Sequence, residues 1–384
     1  MGNLAVIYLL FMYIGVTFNL AGVMSIAIAT TYTVDTAVVG YVFSLFSVGY
    51  SLAIFVNGFL LERAAFKMLL YASFLITFAG IVTATLAAGI EMFAAAIFAA
   101  GVGLGVLCSS GNYYIVRSCY NKERTAKLNI LNFFYSFGAI VSPVAAGQLL
   151  KSGLSWQQIY LLSLTCLAPI ILLAVAAKFE KALCHTEEES NPSDPWHAGV
   201  YLVGAALFCY VASEMILAYW IVVYLVEGLG MPVVSASISL SLFWGFMAIG
   251  RLLSGMAAAR IPVSYLIMAC SLASFLVFAW MLTIQDPYMV IVLVAVLGLT
   301  YSGLYASILS YGTMQIRHAS STLMTFFVTV GSIGGILSFL TSSYLKQHYN
   351  IASALMLSMA AVGLVCVFIG IAAAVNRYWR KKYT

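Results

Sequence analysis

The chain has 384 residues, of which 64% are hydrophobic and only 8% charged, and its mean hydropathy is +1.05. Soluble domains carry about a quarter charged residues and about half apolar ones, so a water-soluble globular enzyme, a disordered chain and a nucleic-acid binder are all excluded. The net charge of +5 is informative through its distribution along the chain rather than its size.

Apolar runs long enough to cross a hydrocarbon layer follow one another from end to end. In chain order the predicted spans are 5–30, 37–60, 66–88, 91–117, 128–149, 157–178, 198–226, 232–258, 263–284, 288–315, 321–345 and 351–376. No basic residue precedes the first span, unlike a cleaved leader, and this segment is expected to be a retained helix. Pro232, Pro262 and Pro287 stand at the starts of spans eight, nine and ten, where a missing N–H costs little. Pro143 and Pro169 fall inside spans, where neighbouring helices can satisfy the freed carbonyls. Continuous apolar runs, rather than alternating strands of about ten residues, exclude a transmembrane β-barrel. The expected fold is an all-α polytopic membrane protein with twelve transmembrane helices in two six-helix bundles, residues 1–178 and 198–384. Between them lies a hydrophilic linker, 179–197, reading FEKALCHTEEESNPSDPWH.

Basic residues set the orientation. With the N-terminus inside, fifteen Lys and Arg fall on inner connections and the tail, against Lys151 and Lys346 outside. Both termini and the linker are therefore expected in the cytoplasm, and the protein in a bacterial inner membrane. Seven scattered cysteines form no CxxC, and the four histidines lie in loops or at helix ends. No disulfide framework, metal site or cofactor motif is expected. Gly101, Gly103 and Gly105 lie within an apolar run with no strand before them, so they fit close helix packing rather than a phosphate loop.

The halves are weakly alike. Phe11 and Tyr13 correspond to Phe208 and Tyr210, and Gly58 and Arg63 to Gly255 and Arg260, each at an offset of 197. FFYSFGAI (133–140) returns as FFVTVGSI (326–333) at an offset of 193. Parallel six-helix repeats are one way secondary transporters are built.

Twelve spans, this repeat and a central linker resemble the major facilitator superfamily. NGFLLERAAFK (57–67) resembles its signature between helices two and three, carried here by Gly58, Glu62, Arg63 and Lys67, with Phe66 where a glycine is usual. Within the superfamily the chain is similar to the fucose–galactose–glucose:proton symporters and their short bacterial relatives. FCYVASEMILAYWIVVYL (208–225) looks like their helix-seven motif, and GVTFNLAG (15–22), GLGVLCSSGN (103–112) and KLNILNFFYSFGAI (127–140) align with helices one, four and five. Where that family has acidic residues in helices one and four, this chain has Gly22 and Cys108, so that carboxylate pair does not carry over. Asn19, Asn112 and Asn132 do. The resemblance also implies an inner gate of ion pairs, with Glu62, Arg63, Arg251 and Arg260 as its charges here.

Glu214 is the one acidic residue deep within a predicted span. An ionisable group at mid-bilayer costs about 2.5–3.5 kcal/mol on insertion scales. Either it binds a coupling proton or cation, or hydrogen-bonds a substrate hydroxyl, or it locks helix seven to its neighbours. Asn19, Asn112, Asn129 and Asn132 suit sugar hydroxyls or interhelical bonds. Tyr135, Tyr210, Tyr219, Trp220, Trp244, Tyr301 and Tyr305 suit stacking on a sugar face or plain packing. Tyr210 shares a helix face with Glu214 at i−4.

These features predict a secondary active transporter, not an enzyme, that moves a small polar metabolite, a sugar above all, by alternating access. Its expected partners are the small-molecule substrate, a proton or cation and the lipid bilayer, with no nucleic acid, and the chain is expected to be monomeric. The alternative is an exporter of drugs, siderophores or metabolic by-products on the same fold. A receptor or scaffold would need a larger soluble part than the linker offers.

Overall fold

A computed structural model describes residues 2–118, 121–177, 179, 196–258, 260–316 and 321–383. Among the described residues there are thirteen α-helices and no strand. In the first half they are α1 (Gly2–Tyr32), α2 (Thr36–Arg63), α3 (Phe66–Thr85), α4 (Ile90–Ser118), α5 (Asn121–Lys151) and α6 (Trp156–Ala176). In the second half they are α7 (Ala198–Val223), α8 (Val233–Ala258), α9 (Val263–Met281), α10 (Pro287–Tyr301), α11 (Leu304–Thr313), α12 (Ser321–His348) and α13 (Ile351–Tyr383). A π-helical turn, Tyr224–Gly228, extends α7. Twelve helical segments are long and apolar enough to cross a membrane. Of the hydrophilic stretch 179–197, only Phe179, Trp196 and His197 are among the described residues; the expected linker otherwise lies outside them.

Local chemistry sets the helix starts. The Asp35 carboxylate accepts the Ala37 N–H at 2.7 Å and caps α2. Ser155 and Gln158 form a reciprocal capping box on α6, satisfying donors that the first turn leaves open. Asp286 caps α10 with Pro287 in its first turn. His197 caps α7: its Nδ1 accepts the Gly199 N–H at 3.0 Å. That role requires the proton on Nε2, which lies 2.7 Å from the Gln315 carbonyl just past α11.

Span ten departs from the continuous helix expected over 288–315. It breaks between α10 and α11 at Ser302 and Gly303. The Ser302 hydroxyl turns back onto the Leu299 carbonyl at 2.7 Å, a competitor for helical backbone bonds that bends helices. Gly250 and Ser254 of α8 lie close against the break.

Two compact units are defined by contacts: Met1–Glu187 with Val233–Ser237, and Glu188–Pro232 with Ile238–Thr384. In the first, α1 pairs with α5, and α4 with both α2 and α3; in the second, α7 pairs with α12 and α13, and α9 with α10 and α13. The sequence repeat reappears in this packing. Gly101 of α4 lies against the Phe46 carbonyl of α2, and Gly298 of α10 against the Phe243 carbonyl of α8. These two pairs are themselves 197 positions apart. At either glycine a Cβ would collide with the carbonyl, so the close helix approach depends on its absence. The expectation that Gly101 serves packing fits this contact.

Candidate functional site

The chemistry concentrates in the second unit, on α7. Tyr210 and Glu214 stand one turn apart and share a face. The Tyr210 hydroxyl donates to Glu214 Oε1 at 2.9 Å. Tyr210 is 1% exposed and Glu214 7%, so the carboxyl is deeply buried without being wholly sealed. A buried carboxylate needs a compensating charge or hydrogen bonds. The Tyr210 hydroxyl supplies one such bond, and Arg251 of α8 is a cation within electrostatic range of the carboxyl, without an ion pair between them among the described residues. The Arg251 side chain is exposed, with Nη2 3.4 Å from Met247 Sδ one turn back.

Helices α10 and α11 bring aromatic rings to this pair. The Tyr301 and Tyr305 ring centres lie 6.0 and 6.2 Å from that of Tyr210. Phe243 of α8 meets Tyr301 edge-on at 5.8 Å. Tyr305 remains 38% exposed, whereas Tyr301 is fully buried. The Tyr301 hydroxyl lies 2.6 Å from Ser213 Oγ. Ser213 donates to the Ser358 carbonyl, and Ser358 donates back to the Ser213 carbonyl, both at 2.7 Å. This reciprocal pair joins α7 to α13, and Tyr301 adds α10. Serines 213 and 358 were not singled out in the sequence; serine is common in spans, and only its place at a helix contact marks it.

The other candidates are spread out. Trp220 is buried, and its indole N–H donates to Ser342 of α12 at 2.7 Å. In the first unit three of the candidate asparagine amides, those of Asn19, Asn112 and Asn132, donate to the carbonyl one turn back on their own helix. Asn19 bonds Gly15 at 2.9 Å, Asn112 bonds Cys108 at 3.1 Å, and Asn132 bonds Leu128 at 3.0 Å. Gly111, beside Asn112, lies against Phe11. Asn19 is eight residues further along α1 than Phe11, a rise of about 12 Å, so these two amides sit at different depths. Tyr135 packs its backbone carbonyl against Gly15. An amide that was overlooked, Asn57, is fully buried and joins α2 to α4 through Ser109 at 2.7 Å and Ser110 at 3.0 Å. The signal was present, an unpaired amide being costly inside a span.

Of the expected gate, Gly58, Arg63 and Arg260 are exposed, and the Glu62 side chain lies outside the described residues. Lys67 Nζ donates to the Val175 carbonyl of α6 at 3.1 Å. Arg251 is the gate candidate that the structure associates with Glu214.

The repeat exposes an asymmetry. At the offset of 197 that relates Tyr13 to Tyr210, Thr17 corresponds to Glu214. Thr17 donates to the Tyr13 carbonyl at 3.0 Å. The fold therefore closes the same position in its first half with a neutral side chain, and the packing of the repeat does not by itself demand an acid.

Repeated six-span halves carrying a buried acid define a membrane transporter. The family model of the Major Facilitator Superfamily matches residues 6–339, and the chain belongs to that superfamily. It is 25% identical over 348 residues to the protein TsgA homolog of Erwinia tasmaniensis, covering 89% of this chain and 88% of that one. Among solved structures it resembles the nucleoside transporter NupG with a TM-score of 0.77, at 15% identity over 97% of this chain and 99% of that one. It also resembles the E. coli fucose:proton symporter FucP with a TM-score of 0.63, at 18% identity over 96% and 98%. Identities this low establish the shared fold and leave the substrate open.

Proposed function

We propose that this superfamily transporter is a secondary active carrier of a small hydroxylated metabolite, a sugar or a close chemical relative, driven by a proton gradient through Glu214. The observation that carries the reading is the buried Tyr210–Glu214 hydrogen bond, an acid and a positioned donor where the repeated half has Thr17. A carboxyl so placed binds and releases a proton as its surroundings change between two access states. The aromatic rings of Tyr210 and Tyr305 offer faces for a sugar ring, and Asn112 and Asn132, with an amide N–H already bonded one turn back, present carbonyl oxygens to hydroxyl donors. The charge distribution favours cytoplasmic termini in a bacterial inner membrane, with a single chain as the working unit.

Replacing Glu214→Gln in proteoliposomes tests the coupling. The variant keeps shape and hydrogen-bonding capacity but cannot titrate. Exchange down a substrate gradient should persist while uptake ceases to respond to an imposed pH gradient. Uptake with the wild-type pH response would refute the role of Glu214.

A further inference from the structure

A histidine at the linker end of the second unit engages two helices at once. His197 stands just outside the apolar segment Ala198–Gly228. Its Nδ1 accepts the Gly199 N–H at 3.0 Å at the start of α7, and its Nε2 lies 2.7 Å from the Gln315 carbonyl just past α11. An amide N–H can only donate and a carbonyl can only accept, so the ring is neutral with its one hydrogen on Nε2. The neighbours hold this arrangement in place. Gln315 is buried, and its side-chain amide donates to the Tyr311 carbonyl of α11 at 2.9 Å. The Trp196 ring packs 5.0 Å from that of Phe326 of α12 and 6.0 Å from that of Tyr201 of α7. A Cβ at position 199 would lie 2.7 Å from both Gln315 Oε1 and His197 Cε1, so only glycine admits this approach.

Histidine stands outside the usual set of helix caps, Ser, Thr, Asp and Asn, and imidazoles change charge between about pH 5 and pH 8. A proton added at Nδ1 sets one N–H against another, that of Gly199, and the cap of α7 is lost. The bond to Gln315 survives, because Nε2 carries its hydrogen in both forms. The N-terminal end of α7 disfavours a charged ring and the C-terminal end of α11 favours one, so the ring stays with α11. On α7 and α11 the titratable side chains nearest in the chain are Tyr201 and Tyr311, and α12 carries none before Tyr344. Asp194, Arg317, His318 and the side chains of Arg377 and Arg380 on α13 lie outside the described residues. We propose that His197 is a pH-sensitive cap. Neutral, it ties the start of α7 to the end of α11; protonated, it remains on Gln315 and releases the first turn of α7. The transporter thereby senses acidity on its linker side, about 25 Å along α7 from Glu214 and independently of any coupling role of that carboxyl.

The test is hydrogen exchange, read by mass spectrometry, on the full chain in phosphatidylcholine nanodiscs, with protection corrected for the intrinsic pH dependence of exchange. Between about pH 7.5 and about pH 5.5 the wild-type segment 198–204 should lose about tenfold in protection, the effect of losing a cap, while segment 308–315 is unchanged. His197→Asn supplies a cap that does not titrate, and its segment 198–204 should be equally protected at both pH values. The wild-type fall should persist in Glu214→Gln and in His318→Asn, which remove the other groups whose titration might act on α7. A flat wild-type response, a matching fall over 308–315, a wild-type fall in His197→Asn, or its disappearance in Glu214→Gln or His318→Asn overturns the proposal. Should His197→Asn not fold, His197→Ser, which also caps without titrating, decides by the same criteria.

Discussion

Three residues in succession around position 213 do different work on α7. Ala212 packs, Ser213 ties the helix to α10 and α13, and Glu214 turns to Tyr210. The tie and the acid can be separated experimentally. Ser213→Ala deletes a buried hydroxyl and leaves Tyr301 and Ser358 each short of a partner. The expected cost is about 1–3 kcal/mol, read as a lower Tm in detergent, while the pH response of uptake is retained. Loss of that response with unchanged Tm would instead make Ser213 part of the proton path. Glu214 was legible in the sequence because an acid among apolar residues is costly and therefore conspicuous. Its association with Arg251 was not, since Arg251 stands seven residues from the end of α8 and reads equally well as one of the inner-face charges. Which residues of two helices meet depends on tilt and rotation, which packing sets and hydropathy does not.

At the scale of elements, the close approaches of α2 to α4 and of α8 to α10 are the points where a single methyl matters most. Gly101→Ala and Gly298→Ala each drive a Cβ into a backbone carbonyl, of Phe46 and Phe243 respectively. Backbone cannot rotate aside as a side chain can, so each change should destabilise by about 1–3 kcal/mol or more. Gly58→Ala is the control: a Cβ there meets nothing within 4 Å, and Tm should not fall. Thermal melts of the three variants decide; equal Tm values for all of them would mean that the helices separate freely at these contacts. Span number and approximate ends were readable because hydropathy averages over about 20 residues. The same averaging hid the break of span ten at Ser302 and Gly303, which one hydroxyl and one glycine produce without any change in hydropathy. The packing match between Gly101 with Phe46 and Gly298 with Phe243 was hidden for another reason: neither residue is rare enough to signal a repeat until the structure shows what each one touches.

For the whole molecule, the expectation that both ends share the cytoplasmic side combines an even number of spans with the distribution of Lys and Arg. The argument is physical: basic residues flanking short loops resist translocation, so an excess marks the cytoplasmic face. The two lysines expected on the outer side each sit at a helix end. Lys151 ends α5 just before a tight turn through Gly153, with φ of +91°. Lys346, near the end of α12, forms an ion pair with Glu227 of the π-helical turn at 3.4 Å. That pairing engages the lysine within its own unit, whereas Lys151 and Arg63 are both exposed, so they can report sidedness. In a background with the seven native cysteines replaced by serine or alanine, Lys151→Cys should react with a membrane-impermeant maleimide on intact spheroplasts. Arg63→Cys should react only after permeabilisation. The reverse pattern would invert the whole chain and place the hydrophilic stretch 179–197 outside. Reaction of both on intact spheroplasts would break the even-span count itself, and with it the parallel repeat that sets Thr17 opposite Glu214 in the alignment of the two halves.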